Sequence, residues 1–226
     1  MTKQELIFNE EEHTYHVGEQ ELTSVTKFVS WFFPEFDKEE VSQRVADKRG
    51  VTQEEVLDEW DDIANKGTLV HKEIEDFIEG IVNITTKKSF QGAKFCDDHV
   101  INMHNTIPEW KIFSTNIGLA GTIDLFVGNA GEGLGFIYDW KTNKELTDKG
   151  WGTGIRESTK HIPNSKLHKY YLQLNVYAYI LFHEEDIIIE KMFIVHLKDN
   201  SSELITVPNM QEDVEAMIKE WKEVKE

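Results

Sequence analysis

Three β-rich runs stand one after another in the middle of the chain, and they restrict the fold more than any other feature. Residues 110–114 (WKIFS), 119–128 (LAGTIDLFVG) and 134–142 (LGFIYDWKT) are rich in branched and aromatic residues, with Gly- and Asn-containing turns between them. The NAGEG connection between the last two is a hairpin turn. Strands joined this closely pair as antiparallel neighbours, so a sheet must sit at the centre of the fold.

On both sides of this meander the pattern turns helical. Thr23 or Ser24 caps a helix through VTKFVSWFF that Pro34 stops, and Asp37 opens KEEVSQRVADKRG, which Gly50 closes. Thr52, followed three residues later by Glu55, is a capping box for TQEEVLDEWDDIANK. GTLVHKEIEDFIEG reads as a separate helix with Leu69, Ile74, Phe77 and Ile78 on one face. Residues 6–8 and 13–17 read as a short hairpin. Beyond the meander come a polar, irregular stretch at 143–166 expected to be a mobile loop, a helix from about 167 to 183, and strands near 191–197 and 203–207. A closing amphipathic helix at 211–224 uses Val214, Met217, Ile218 and Trp221. The order implies an α/β fold, a mixed central sheet flanked by helices. The 226 residues suit one domain, with a mostly helical N-terminal part at 1–66 and the core at 67–226.

Composition removes several classes of function. No run approaches the roughly eighteen apolar residues of a membrane span, and MTKQELIFNEEEH lacks a signal peptide's apolar centre. The expectation is a cytoplasmic protein with no membrane partner. The lone Cys96 excludes an internal disulfide and any site built on several thiolates, and reads as a buried free thiol. Net charge is −18, which on average repels nucleic acid. The window 141–170 departs from this, with seven basic residues (Lys141, Lys144, Lys149, Arg156, Lys160, Lys166, Lys169) against Glu145, Asp148 and Glu157. Such a strip can hold a strand, since screening cuts off repulsion beyond roughly 8 Å at physiological salt. It is also what an ordinary charged loop looks like.

Asp139-Trp140-Lys141 places an acid and an amine on one face of a strand, with Tyr138 and Trp140 on the other. Alone, this is equally a surface ion pair. Asp124, in the preceding strand, adds a second carboxylate that the hairpin brings alongside. Paired oxygen ligands suit Mg2+ or Mn2+, which polarise a phosphoryl oxygen and acidify a bound water. Lys141 would then orient that water or stabilise charge developing on phosphate.

The motifs Gly67-Thr68-Leu69-Val70-His71, Gly121-Thr122-Ile123-Asp124, Asp139-Trp140-Lys141-Thr142 and Gln173-Leu174-Asn175-Val176-Tyr177 resemble, in that order, those of the PD-(D/E)XK nuclease superfamily. The His before the acidic pair and the Gln-x-x-x-Tyr after it are similar to the RecB branch, which includes recombination exonucleases, the mitochondrial genome maintenance exonuclease and stand-alone phage nucleases. The resemblance spans about residues 60–180, and the upstream SVTKFV is similar to small phage-type nucleases. It implies a restriction-endonuclease-like core, Asp124 and Asp139 as metal ligands, and Lys141 as the catalytic lysine. It also implies His71 and the Trp140 carbonyl as further ligands. Gln173 and Tyr177, four apart on one helix face, would hold the nucleic-acid backbone or orient Lys141. Four-cysteine iron–sulfur members of the branch are excluded here by the cysteine count.

The implied function is a metal-dependent DNA exonuclease, a hydrolase of recombination or repair acting on free ends or single strands. No G-x-x-x-x-G-K-[ST] is present, so it would be free-standing rather than part of a motor. A junction-resolvase-like endonuclease on the same fold is one alternative. A non-catalytic acidic DNA mimic, docking a basic protein partner through its acidic surface, is the other. Glu75, one turn beyond His71, is either a water-mediated contact to a second metal or a solvated helix charge. Trp151, Tyr170 and Tyr171 are either stacking surfaces for unpaired bases or ordinary buried rings.

Overall fold

The computed structural model describes residues 6–9, 14–99, 105–129 and 132–225. Among these, eight strands form one mixed sheet flanked by six α-helices, as the sequence implied. Strands β1 (Leu6–Asn9), β2 (Thr14–Val17) and β3 (Gln20–Ser24) form an antiparallel meander whose last strand runs parallel to β5 (Leu119–Asn129). The turn joining β1 to β2, with His13, lies outside the described residues, as do residues 130 and 131 of the NAGEG connection. β4 (Thr106–Ser114), β5 and β6 (Leu134–Lys141) are antiparallel neighbours. β6 pairs parallel with β7 (Ile188–Leu197), which pairs antiparallel with β8 (Ser202–Thr206).

Local chemistry explains where the helices begin. α1 (Val25–Trp31) is capped by Ser24, and α2 (Lys38–Arg49) by Asp37, with Gly50 closing it in the left-handed region. α3 (Gln53–Ile78) opens on the Thr52–Glu55 capping box, in which each residue's side chain accepts from the other's backbone N–H. The expected break at Gly67 does not occur, and α3 is one helix of 26 residues. Gly67 is spent on packing instead, because a Cβ there would meet Thr142 Oγ1 at 3.3 Å, so α3 can run close to the end of β6. The division at 66/67 therefore falls inside a continuous helix, and the N-terminal part also supplies three strands to the sheet. Leu69 is exposed; the buried stripe is Val70, Ile74 and Ile78, four residues apart.

α4 (Lys87–Asp98) has no counterpart in the sequence reading. Its buried face is made of small residues (Ser89, Gly92, Ala93, Cys96) with Phe95, while Phe90 faces solvent, so the apolar periodicity is faint. The buried Glu73 of α3 anchors its start, accepting from the N–H groups of Thr85 and Thr86 and from Ser89 Oγ. α5 (Lys166–Glu185) links β6 to β7, and α6 (Gln211–Lys225) ends the chain. The larger core cluster lies on the sheet face covered by α1, α5 and α6, and a second lies under α3 and α4. Cys96 is buried there, and burial pushes its thiol up to about 12.

The segment 143–165 is packed, contrary to the expectation of a mobile loop. Ile155 N donates to Phe32 O at 2.9 Å, Ser158 N to Glu220 Oε2 at 3.0 Å, and Thr159 and Ile162 are buried. Its polar side chains make internal bonds that composition does not reveal. No helix among the described residues is long and apolar enough to cross a membrane.

Candidate active site

Two strands lose their alternation at the same level of the sheet. Ile123 and Phe126 are three apart in β5, and Ile107 and Trp110 are three apart in β4, yet all four pack against the larger core cluster. Strict alternation would send such residues to opposite faces. Glu109 sits at the slip in β4 with φ 45°, a left-handed conformation that strains a non-glycine residue by about 1–3 kcal/mol. Asp124 sits at the slip in β5. Pro108 faces Leu125 and Trp110 faces Ile123, which sets Glu109 opposite Asp124. Leu125 faces Tyr138, which brings Asp139 next to Asp124. Three carboxylates thus form a row across three adjacent strands. Where the β5–β6 ladder ends, the Trp140 N–H donates to Asp124 Oδ2 at 2.8 Å. A strand residue directs its N–H and C=O to the same edge, so the Trp140 carbonyl also faces β5.

α3 delivers the fourth group. One turn beyond Gly67, His71 places Nδ1 3.4 Å from Asp124 Oδ2. One ligand atom each from His71, Glu109 and Asp124 lie within 4.8 Å of one another. Donors bound about 2.0–2.6 Å from a common ion stand no more than roughly 5 Å apart. The mouth of this cluster is a cleft of about 710 Å³ lined by His71, Lys72, Glu75, Glu109 and Phe8. Glu75 is held there by Lys72 at 2.9 Å.

Lys141 Nζ lies 2.5 Å from Asp139 Oδ2 and 4.4 Å from the centre of the Tyr170 ring. Asp139 is 2% exposed, and its Oδ2 has the Lys141 ammonium as its partner. Burial lifts the Asp139 carboxyl to about 6 against the pull of Lys141. Burial, then the Asp124 charge, lifts Glu109 to about 7. Asp124 also suffers burial, but His71, Lys141 and the Trp140 N–H outweigh it and hold its carboxyl below the ordinary range. Burial opposes protonation of His71, yet Asp124 overrides it and raises the imidazole to about 9. Lys141 is likewise desolvated and held charged by Asp139 and Asp124.

The structure therefore gathers His71, Asp124, Asp139, Trp140 and Lys141 in one place. Gln173 and Tyr177 stand behind them: Gln173 Nε2 donates to Tyr177 OH at 2.8 Å, and both are buried. Gly121 gives Tyr177 its room, since a Cβ there would lie 2.5 Å from the ring. Glu109 is the residue the sequence reading missed. The sequence reading begins this strand at Trp110, whereas β4 begins at Thr106 and pairs only with β5 among the described residues, an arrangement that tolerates Pro108. The three-residue spacing of Ile107 and Trp110 was the available signal. The basic window is also less uniform than its charge count. Arg156 stacks on Trp31 and Lys160 pairs with Glu157, while Lys144, Lys149 and Lys166 are exposed.

Neither a protein-family model nor a curated protein matches the chain. Among solved structures, the crystal structure of SSO0001 is similar over 93% of this chain and 79% of its own, at 12% identity and a TM-score of 0.45.

Proposed function

We propose that the chain is a divalent-metal-dependent phosphodiesterase. More particularly, it is a RecB-type DNA exonuclease working on free ends or single strands. The observation that carries this reading is the convergence of Glu109, Asp124 and His71 beside the Asp139–Lys141 pair. The donor set fits Mg2+ or Mn2+: carboxylate oxygens with one imidazole, a ligand atom each from His71, Glu109 and Asp124 lying within 4.8 Å of one another. His71, Glu109, Asp124, Asp139 and the Trp140 carbonyl would hold the ion, which when bound supplies charge to polarise a phosphoryl group and acidify water.

The chain's own groups supply the rest. Lys141 stays protonated, and its ammonium is fixed between Asp139 and the Tyr170 ring, so it can donate to a phosphoryl oxygen as negative charge grows there. Tyr170 OH donates to Asn143 Oδ1 at 3.2 Å, which keeps that ring in place. The Trp140 N–H orients the Asp124 carboxylate without consuming its other oxygen. Asp124→Ala and Asp139→Ala should each abolish Mg2+-dependent cleavage of end-labelled DNA while circular dichroism stays native. Undiminished cleavage by folded Asp139→Ala would overturn the assignment.

A further inference from the structure

A second cavity, of about 460 Å³, opens between α1 and the first half of α5. Its walls include Val29, Pro34, Phe36, Lys166, Lys169 and Tyr170. Tyr170 is the same ring that lies 4.4 Å from the Lys141 ammonium, so the groove and the reacting centre share a wall. Glu35 is the one acidic side chain lining the groove, against two lysines, on a chain whose net charge is −18. Phe36 is exposed along it.

The backbone of Trp151 is bonded to the groove residue Asn164, and its side chain is 95% exposed. The backbone beneath it is fixed. Asn164, a groove residue, donates from Nδ2 to Trp151 O and from its N–H to Gly152 O, and Thr153 bridges to Pro163. Gly150 is pressed against the Asn164 carbonyl so closely that a Cβ would lie 2.0 Å from it. The largest side chain available is thus held out in water by a loop without slack.

We propose that this groove is the path of one unpaired DNA strand, with Lys166 and Lys169 at its phosphates and Trp151 as the stacking surface for a base. Aromatic faces accept any base, and lysines track the backbone without reading sequence. The groove is sized for a nucleotide-scale ligand rather than a duplex face. A strand lying in it passes Tyr170 and so brings a phosphodiester to Lys141, which rests on the nuclease reading above.

The test is anisotropy of a fluorescein-labelled oligothymidylate with the full chain in EDTA, where binding is read without turnover. Trp151→Ala should weaken binding by about 5- to 150-fold, the loss of one stacked base, and Trp151→Phe should restore most of it. Lys166→Glu with Lys169→Glu should lower the slope of log affinity against log salt by roughly 0.7 for each phosphate no longer neutralised. Equal affinity of wild type and Trp151→Ala overturns the proposal, as does a wild type that prefers a matched duplex. A chain that cleaves DNA in Mg2+ while Trp151→Ala binds normally retires the groove and keeps the nuclease. A chain that binds the strand through Trp151 yet cleaves nothing retires the nuclease and keeps the groove.

Discussion

Replacing Glu109 by Gln separates what this carboxylate costs the fold from what it offers a cation. Burial and the adjacent Asp124 raise its carboxyl from 4.5 to about 7. An acid whose folded value is raised is disfavoured in its ionised form. The cost is therefore absent below the unfolded value and complete above the folded one. At about 1.4 kcal/mol per unit the full effect is on the order of 3 kcal/mol, and partial solvent access reduces it to roughly 1–3 kcal/mol. Gln keeps the side chain's shape and the same left-handed backbone, so the strain at φ 45° cancels in the comparison. Urea unfolding in EDTA should show Glu109→Gln more stable than wild type by that amount at about pH 8, with the advantage gone near pH 4.5. Mn2+ should narrow that advantage. Wild type gains about 2.7 kcal/mol at a hundredfold excess over its dissociation constant, and the variant, short of a ligand charge, gains less. Parallel stability of the two proteins across this pH range, or equal stabilisation of both by Mn2+, would refute the reasoning.

Two further substitutions probe the neighbours. His71→Ala should lose activity most at limiting metal and recover part of it with Mn2+, which tolerates a nitrogen ligand better than Mg2+ does; identical metal-response curves would return His71 to a structural role. Lys141→Ala should abolish cleavage but retain metal binding by calorimetry. It should also cost about 3–5 kcal/mol in urea unfolding at a pH where Asp139 is ionised, because a buried carboxylate loses its partner; cleavage at the wild-type rate would contradict the role given to the ammonium.

Much of this arrangement was legible from local chemistry. Ser24, Asp37 and the Thr52–Glu55 box mark helix starts because each side chain has only a few backbone N–H groups within reach. Asp124 and Asp139 could be placed side by side because a short turn fixes hairpin register. Residues that act across long separations were less legible. Gly67 looked like a helix break because its reason, the approach of Thr142, lies 75 residues away. Glu109 was invisible because its importance arises from a slip in strand alternation that only pairing with β5 defines. α4 was missed because it buries small side chains rather than a large apolar stripe. The segment 143–165 looked mobile because its fastenings are hydrogen bonds to Phe32 and Glu220.

The most direct measurement of the central claim is incubation of the full chain with end-labelled single- and double-stranded DNA in Mg2+, in Mn2+ and in EDTA. The row of Glu109, Asp124 and Asp139 with Lys141 predicts hydrolysis in either metal, release of short products from free ends, and none in EDTA. Intact DNA in every metal, from a chain that calorimetry shows to be folded, would contradict it.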